Sequence, residues 1–302
     1  MTVTVGAPRV SVVIPTHNRA ADLRRCLGSL CAQTVQDFEV LVCDDGSTDD
    51  SADVVAEFRD ALDVTYDWAE NWGGAARPRN RGLALARAPF VAFLDSDDWW
   101  SPAKLERSLT ALDAGADVVY HDLYRVDDVA RRSGLPRVRS WSLRRPVFRD
   151  LVETGNAIPL SSAVVRASLL RSAGGMPEAR EIIAMEDYEC WLNLAGLTER
   201  FIRIPGILGY YWAGGGNISS DARTLRLLQV FEERQRHRPD WRGAPAWITY
   251  TRARIHFRAR KYRAAREELA MLAKQRVPWS IRLKALATRV GMWLPIRAAS
   301  VA

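Results

Sequence analysis

The chain has 302 residues, of which 48% are hydrophobic and 26% charged, which allows one large domain or a domain with an appendage and excludes a fully disordered chain. Its net charge of +7 is unevenly distributed: residues 222–302 contain 19 Lys and Arg against 5 Asp and Glu, a net +14, whereas the first 221 residues contain 24 against 31, a net −7. This asymmetry indicates an acidic body joined to a basic tail whose partner is anionic, either membrane lipid or nucleic acid. The alternative is a solvated, arginine-rich helical surface.

The cysteines and the N-terminus bear on the cellular compartment. Four cysteines, at positions 26, 31, 43 and 190, form no CxxC pair and have no histidine at zinc-binding spacing, so we expect reduced core residues. The first six residues lack the basic start and apolar stretch of a signal peptide, and no window approaches about 18 uninterrupted apolar residues. We therefore expect a cytoplasmic protein, either free or at the inner face of the cell membrane.

Apolar runs and helical repeats alternate over the first 120 residues. Such alternation predicts an α/β fold with a largely parallel, Rossmann-like sheet. The predicted strands are 10–15, 38–43, 64–66, 89–94 and 117–120, and the predicted helices are 20–33, 51–59, 80–88 and 102–114.

Three carboxylates follow the predicted strand 89–94 directly, as Asp95, Asp97 and Asp98 with Ser96 between them. At the end of a buried strand they would lie where an open α/β fold binds its ligand, and unpaired they would repel one another. A divalent cation, Mg²⁺ or Mn²⁺ carrying a phosphorylated substrate, would neutralise them. The alternative is a solvated turn that caps the next helix.

Polar side chains also end the first two strands. The first ends in Pro15, Thr16 and, two residues later, Asn18, and the second ends in Asp44 and Asp45. Because the strand ends would converge on one crevice, a nucleotide could lie there, with a carboxylate accepting from a base N–H; Asp45 is the better candidate. The alternative is a turn and helix cap, and one aspartate could cap while the other binds.

Residues 71–82 combine small residues with three arginines and include Asn71, Arg77, Arg79 and Asn80. Small residues permit close backbone approach, and arginine binds phosphate oxygens in a bidentate fashion. The alternative is an ordinary loop before a helix, with its arginines in water.

Taken in order, these four motifs resemble the family 2 glycosyltransferases of the GT-A fold over residues 9–215. The resemblance implies a nucleotide-diphospho-sugar donor (UDP-, GDP- or dTDP-linked), a divalent cation (Mn²⁺ or Mg²⁺), inversion at the anomeric carbon, and a glycan or lipid-linked acceptor. By position, it implies that Thr16 and Asp45 contact the base, Arg79 the nucleotide, and Asp95 the ribose or metal region. Asp97 would be the chief metal ligand and Asp98 a second candidate. Which of Arg77 and Arg79 reaches the nucleotide stays open.

Such a reaction needs a base for the acceptor hydroxyl, and Glu186 and Asp187 at the start of a predicted helix are the candidates. The resemblance implies Asp187 as the base, with Glu186 in support. The alternative is that both only complement the helix dipole. That dipole would lower the carboxyl pKa, whereas Glu186 and Glu189 would raise the pKa of Asp187.

Residues 210–219 place aromatics beside three glycines, which predicts either a mobile flap over the donor or acceptor or a flexible connector. Many relatives carry a metal- or diphosphate-binding histidine here, but this chain has Ala213 and Gly214. His17 and His121 are isolated, which favours local hydrogen bonding.

The basic region 221–302 is predicted to be helical and to follow a catalytic domain of residues 1–220, with a nucleotide-sugar half (about 1–120) and an acceptor half (about 121–220). Its clearest helix, 281–294, carries one apolar stripe, with Arg282, Lys284 and Arg289 off it. Such a helix either docks on an anionic membrane or packs on the catalytic domain or a second subunit. Nucleic-acid binding is disfavoured because no binding module surrounds the basic residues. The stripe consists of Leu283, Leu286, Ala287, Val290, Trp293 and Leu294.

The sequence thus predicts an inverting, metal-dependent sugar transferase of cell-surface polysaccharide or glycoconjugate synthesis. A dinucleotide-dependent oxidoreductase is rejected because residues 16–27 contain no glycine fingerprint. A non-catalytic nucleotide-sugar-binding module of the same fold remains the alternative.

Overall fold

A computed structural model describes residues 7–130, 135–216, 220–238, 241–275 and 277–292. The N-terminal residues considered for a signal peptide, residues 217–219 of the glycine-containing stretch, and Trp293 and Leu294 of the apolar stripe lie outside the described residues.

The chain folds into alternating strands and helices, followed by a series of helices. The strands are β1 Val10–Thr16, β2 Phe38–Asp44, β3 Val64–Trp68, β4 Phe90–Phe93, β5 Trp99–Trp100, β6 Val118–Val126, β7 Arg137–Val138, β8 Val164–Arg166 and β9 Phe201–Trp212. The helices are α1 Ala20–Cys31, α2 Ser51–Ala56, α3 Ala76–Leu85, α4 Lys104–Asp113, α5 Val147–Thr154, α6 Ala167–Ser172, α7 Glu186–Ala195, α8 Asp221–Gln235, α9 Ala246–Arg258, α10 Tyr262–Ala273 and α11 Trp279–Gly291. The predicted α/β class is confirmed.

The described strands form one mixed sheet in the order β3-β2-β1-β4-β8-β6-β9-β5, with β7 paired to β6. The first four are parallel, as alternation with helices predicts. β8 then runs antiparallel to both of its neighbours, and β5 antiparallel to β9. The expectation of a largely parallel sheet is therefore correct for the first half only, because hydrophobic periodicity carries no information on strand direction.

Helix α3 begins earlier than predicted and contains most of the predicted arginine loop. It lies very close to the sheet: a Cβ at Gly82 would come within 2.4 Å of Val13 Cγ1 and 3.1 Å of Cys43 Sγ. The glycine lets the backbone approach the strands, and the arginines consequently project from a packed helix with fixed directions.

The chain divides into two compact units. One comprises the described residues up to Phe148 and from Asn156 to Gly216 and contains the sheet. The other comprises Arg149–Gly155 and the described residues from Ser220 onward, with its own small core. No helix among the described residues is both long and apolar enough to cross a membrane. The small core consists of Ala246, Ala253, Leu269, Leu272 and Ala285.

Candidate functional site

Strand register brings the predicted polar residues to one edge of the sheet. Thr16 at the end of β1 pairs with Asp44 at the end of β2, and Val13 of β1 pairs with Phe93 at the end of β4. Because these strands are parallel, the residues that follow them converge on the crevice at their carboxyl ends. Pro15 lies inside β1, opposite Cys43, and shapes the strand end.

The two aspartates after β2 have different roles. Asp44 is buried and accepts hydrogen bonds from Ser47 N (2.6 Å) and Tyr66 Oη (2.7 Å), so it fixes the turn. Asp45 accepts from Trp72 N (2.9 Å) and Gly73 N (3.0 Å), which holds the loop before α3. A carboxylate has about four acceptor positions, so Asp45 retains capacity for another donor.

The polar groups after β1 line the same crevice. The Thr16 hydroxyl is buried and has no hydrogen-bond partner among the described residues. Asn18, with a positive φ of 50°, accepts from Thr48 N at 2.8 Å and thereby joins the turns after β1 and β2. The Asn71 amide lies 3.1 Å from the His17 ring, so this histidine makes local contacts, as its isolation predicts.

Arg79 on α3 is buried and bridges two carboxylates. It donates from Nη2 to Asp95 Oδ1 and from Nη1 to Glu186 Oε1, both at 2.7 Å. Burial alone would lower the pKa of Arg79, but the charges and hydrogen bonds of the two carboxylates outweigh it and raise that pKa. Arg79 therefore joins the carboxylate segment after β4 to the start of α7, and both of its terminal nitrogens are already engaged.

Two other arginines are exposed and lie against the ring of Trp72. The guanidinium of Arg77 is 4.8 Å from the ring centroid of Trp72, and that of Arg180 is 4.2 Å from the same ring. Both guanidiniums thus lie against Trp72, whose backbone N–H is bonded to Asp45. Arg180 is missed by sequence reasoning because it belongs to no motif and is remote in the chain.

The Asn80 side chain makes structural contacts with the backbone of Met176. Its amide donates to Met176 O at 2.8 Å and accepts from Met176 N at 2.8 Å. Gly175 has a φ of +71°, and a Cβ there would come within 2.5 Å of Asn80 Oδ1. Asn80 thus ties α3 to the segment after α6.

The carboxylates after β4 point to different partners. Asp98 is buried and accepts from Trp212 N at 2.8 Å, whereas Asp97 lies 3.5 Å from the Arg19 guanidinium. Burial, and then the charge of Asp95, raises the pKa of Asp97 to about 6, and the same causes raise that of Asp98 well above its usual range. Ser96 is buried between them. The pKa shifts mark carboxyl groups whose charged form is disfavoured, first by burial and then by neighbouring carboxylates, and a cation close by would favour that form.

The fit of this donor set to a divalent cation is partial. Within the described ranges, no three Asp, Glu, His or Cys side chains converge to enclose an ion. Asp95 and Asp98 are engaged by Arg79 and Trp212, which leaves Asp97 with the weakest protein contacts. The set suits a cation that takes further oxygen ligands from a diphosphate, as Mg²⁺ and Mn²⁺ do.

Glu186 and Asp187, the first residues of α7, face different environments. Glu186 is buried against Arg79, whereas Asp187 is partly exposed and accepts from Asn156 Nδ2 at 2.9 Å. Burial and the Glu186 charge raise the pKa of Asp187 to about 6, against the lowering effects of the Tyr188 N–H, Arg79 and Asn156. The sequence does not decide whether the pKa of Asp187 is raised or lowered; in the structure it is raised. A raised pKa suits a general base near neutral pH.

The predicted flap is only partly a loop. Tyr210 belongs to β9 and stacks on Trp99 with ring centroids 5.0 Å apart. A Cβ at Gly214 would lie 2.1 Å from the Trp212 ring, so this glycine packs closely on the strand end. The aromatics are therefore strand residues in fixed positions.

The sequence matches the family model described as Glycosyl transferase family 2 over residues 11–169, which is more than half of the chain. The match includes the ends of β1, β2 and β4 and helix α3. It therefore covers most of the polar residues that line the crevice.

Curated relatives are glycosyltransferases. Validoxylamine A glucosyltransferase of Streptomyces hygroscopicus subsp. jinggangensis is 48% identical over 111 residues, 36% of this chain and 26% of that protein. An uncharacterized glycosyltransferase of Nostoc sp. is 34% identical over 217 residues, 69% of this chain and 66% of that protein. An Escherichia coli UDP-Glc:alpha-D-GlcNAc-diphosphoundecaprenol beta-1,3-glucosyltransferase is 25% identical over 215 residues, 70% of this chain and 80% of that protein. The chain thus spans 26% of the length of the Streptomyces protein and 66% of the length of the Nostoc protein.

Solved structures share the fold. S. aureus TarS in complex with UDP-GlcNAc has a TM-score of 0.59 at 20% identity, covering 94% of this chain and 89% of that chain. The mannosyltransferase PcManGT from Pyrobaculum calidifontis, in complex with GDP-Man and Mn²⁺, has a TM-score of 0.58 at 21% identity, covering 95% and 81%. Together with the family match, the mixed sheet and the crevice at its strand ends, these likenesses show that the chain belongs to glycosyl transferase family 2 and has a GT-A fold.

Proposed function

We propose that the chain is an inverting, metal-dependent glycosyltransferase that moves a sugar from a nucleotide-diphospho-sugar to a hydroxyl of a glycan or lipid-linked acceptor in cell-surface polysaccharide or glycoconjugate synthesis. The observation that carries the proposal is that Arg79 joins the carboxylate cluster, at Asp95, to Glu186, and that the residue next to Glu186 is Asp187, a carboxyl group of raised pKa. The named E. coli relative uses a lipid-linked acceptor, and the two fold neighbours bind UDP-GlcNAc and GDP-Man.

The donor would lie in the crevice at the ends of β1 and β2. Thr16 and Asp45 have polar groups available to a nucleobase, and Asp95 and Ser96 would face the ribose. Arg77 is the arginine free to approach the diphosphate, while Arg79 holds Asp95 in place. Pro15, Asn18, Asp44, Asn71 and Asn80 would shape the crevice through the contacts described above.

A divalent cation, Mn²⁺ or Mg²⁺, would neutralise the diphosphate leaving group when bound. Asp97 would hold it, because this carboxylate has the weakest protein contacts, with Asp95 or Asp98 in support. The Mn²⁺ complex of one fold neighbour supports the use of a divalent cation.

Asp187 would remove the proton from the acceptor hydroxyl. With a pKa of about 6 it is ionised at neutral pH yet more basic than an ordinary aspartate. Glu186 supports it by raising that pKa while its own charge is held by Arg79. These properties favour a transferase over a non-catalytic binding module of the same fold.

We also propose that α11 docks on an anionic membrane surface. Trp279, Leu283, Leu286 and Val290 lie on one face of this helix and are 71%, 49%, 58% and 50% exposed. The small residues Ala285 and Thr288 point inward instead. Exposed apolar residues flanked by Arg282 and Lys284 suit an interface with anionic lipid.

Replacing Asp97 tests the donor site. Asp97→Ala is expected to lower Mn²⁺-dependent sugar transfer by about 100-fold or more, because leaving-group charge would be left unneutralised. A panel of UDP-, GDP- and dTDP-sugars with Mn²⁺, measured first by thermal shift, selects the donor for the assay. Asp113→Ala, at an exposed carboxylate paired with Arg9, is the matched control. Transfer by Asp97→Ala equal to that of the control would contradict the assignment.

Replacing Asp187 tests the base. Asp187→Asn is expected to reduce transfer by about 10²–10⁴-fold and leave donor binding intact. In the unmodified protein, transfer is expected to fall as the pH drops below about 6, because Asp187 becomes protonated. Asn156→Ala removes a bond that lowers this pKa, so it is expected to move the acid limb to higher pH. The assignment would be overturned if the acid limb of the pH profile of transfer stayed in place in Asn156→Ala, or if Asp187→Asn kept full activity.

Vesicle binding tests the membrane surface. The full chain is expected to co-sediment with vesicles containing phosphatidylglycerol, less so at high salt and poorly with phosphatidylcholine alone. Leu283→Ser with Leu286→Ser is expected to abolish binding, whereas Leu197→Ser, at another exposed leucine, is expected to leave it unchanged. Binding that survives the double change would contradict the proposal, as would a dimer in solution that only this double change dissociates.

A further inference from the structure

Arg19, which immediately precedes α1, links two parts of the site that its motif does not connect. Its Nη1 lies 3.2 Å from Asp22 Oδ2 and 3.5 Å from Asp97 Oδ2. Its Nη2 donates a hydrogen bond to Gly216 O at 2.7 Å. One guanidinium therefore contacts both the carboxylate with the weakest protein contacts and the glycine-rich segment, defined here as Gly214–Gly216.

The backbone of the glycine-rich segment lies close to this guanidinium. Gly216 has a φ of +77°, and a Cβ there would lie 2.3 Å from Arg19 Nη2. Gly214 packs equally closely on the Trp212 ring, and Trp212 N donates to Asp98. The segment thus packs at one end on Trp212, whose backbone N–H is bonded to Asp98, and is held at the other end by Arg19.

Arg25, within α1, shares Asp22 with Arg19 but contacts only the backbone of Asp97. Its Nη2 donates to the backbone oxygen of Asp97 at 2.8 Å, and its guanidinium lies 4.4 Å from the Trp99 ring centroid and 5.1 Å from that of Trp212. Arg25 therefore fixes the backbone of the carboxylate segment. Arg19 alone of these two contacts the Asp97 side chain.

We propose that Arg19 is a positioning residue that couples the cation site to the glycine-rich segment. Without a divalent cation, its guanidinium neutralises Asp97 and holds Gly216. A cation on Asp97 repels the guanidinium, which keeps Asp22 Oδ2 as its partner while Arg25 holds Asp22 Oδ1, and the Gly216 carbonyl is released. This inference rests on the proposed cation site at Asp97.

Release of the segment would accompany cation binding at Asp97. Backbone groups of Gly214–Gly216 would then be free to adapt to a diphosphate carried by the cation. A segment freed only when the cation is present would discriminate against donor binding without metal.

Two measurements on the full chain test the coupling: calorimetric titration with MnCl₂ and limited elastase digestion mapped by mass spectrometry. Arg19→Gln is expected to bind Mn²⁺ about three- to tenfold more tightly, because a competing cation is removed. It is also expected to be cleaved between Ala213 and Gly216 with or without Mn²⁺. The unmodified protein is expected to be cleaved there only with Mn²⁺.

Two further variants separate charge from bridging. Arg19→Lys keeps the charge but not the forked geometry, so its Mn²⁺ affinity is expected to stay near the original while its segment is cleaved without metal. Arg24→Gln, at an exposed arginine of α1 paired with Glu57, is expected to match the unmodified protein in both assays.

Equal or weaker Mn²⁺ binding by Arg19→Gln, or cleavage of the unmodified protein that ignores Mn²⁺, would overturn the coupling. These outcomes differ from failure of the proposed function, which would show as Mn²⁺ binding and sugar transfer that Asp97→Ala leaves unchanged.

Discussion

The site depends on one buried guanidinium. Arg79 is almost fully enclosed and donates to Asp95, after β4, and to Glu186, at the start of α7, which lies more than a hundred positions away in sequence. Burying a charge is unfavourable unless paired groups satisfy it, so each carboxylate is held where the guanidinium can reach it. The carboxylate cluster and the candidate base therefore keep a fixed separation.

Several other properties follow from this arrangement. Arg79 pairs with Glu186, and the charge of Glu186, after burial, raises the pKa of the neighbouring Asp187. Asp95 is held by Arg79 and Asp98 by Trp212, which leaves Asp97 to Arg19 or to a cation. The three carboxylates thus differ in availability because different donors surround each of them.

The amino-acid sequence predicts the parts of the site that follow strands. Strand ends in a parallel sheet must meet at one edge, so Thr16, Asp45 and Asp97 can be grouped from the order of strands and motifs alone. The partners that arrive from elsewhere in the chain, such as Asn156 on Asp187 or Arg180 over Trp72, cannot be predicted, because no periodicity or spacing records those contacts. The motif identifies Arg79 as an arginine near phosphate, but its burial depends on α3 beginning at Ala76 and packing through Gly82.

The central claim, that Arg79 couples the carboxylate segment after β4 to the start of α7, is tested most directly by a double-mutant cycle on the free energy of unfolding. Arg79→Met and Glu186→Gln are each expected to be destabilising, by up to about 3–5 kcal/mol where a buried charge loses its partner. The double variant is expected to lose less than the sum, with a coupling of about 1–3 kcal/mol. Additivity within about 0.5 kcal/mol would contradict the claim, because it would mean that the two side chains do not act through one another.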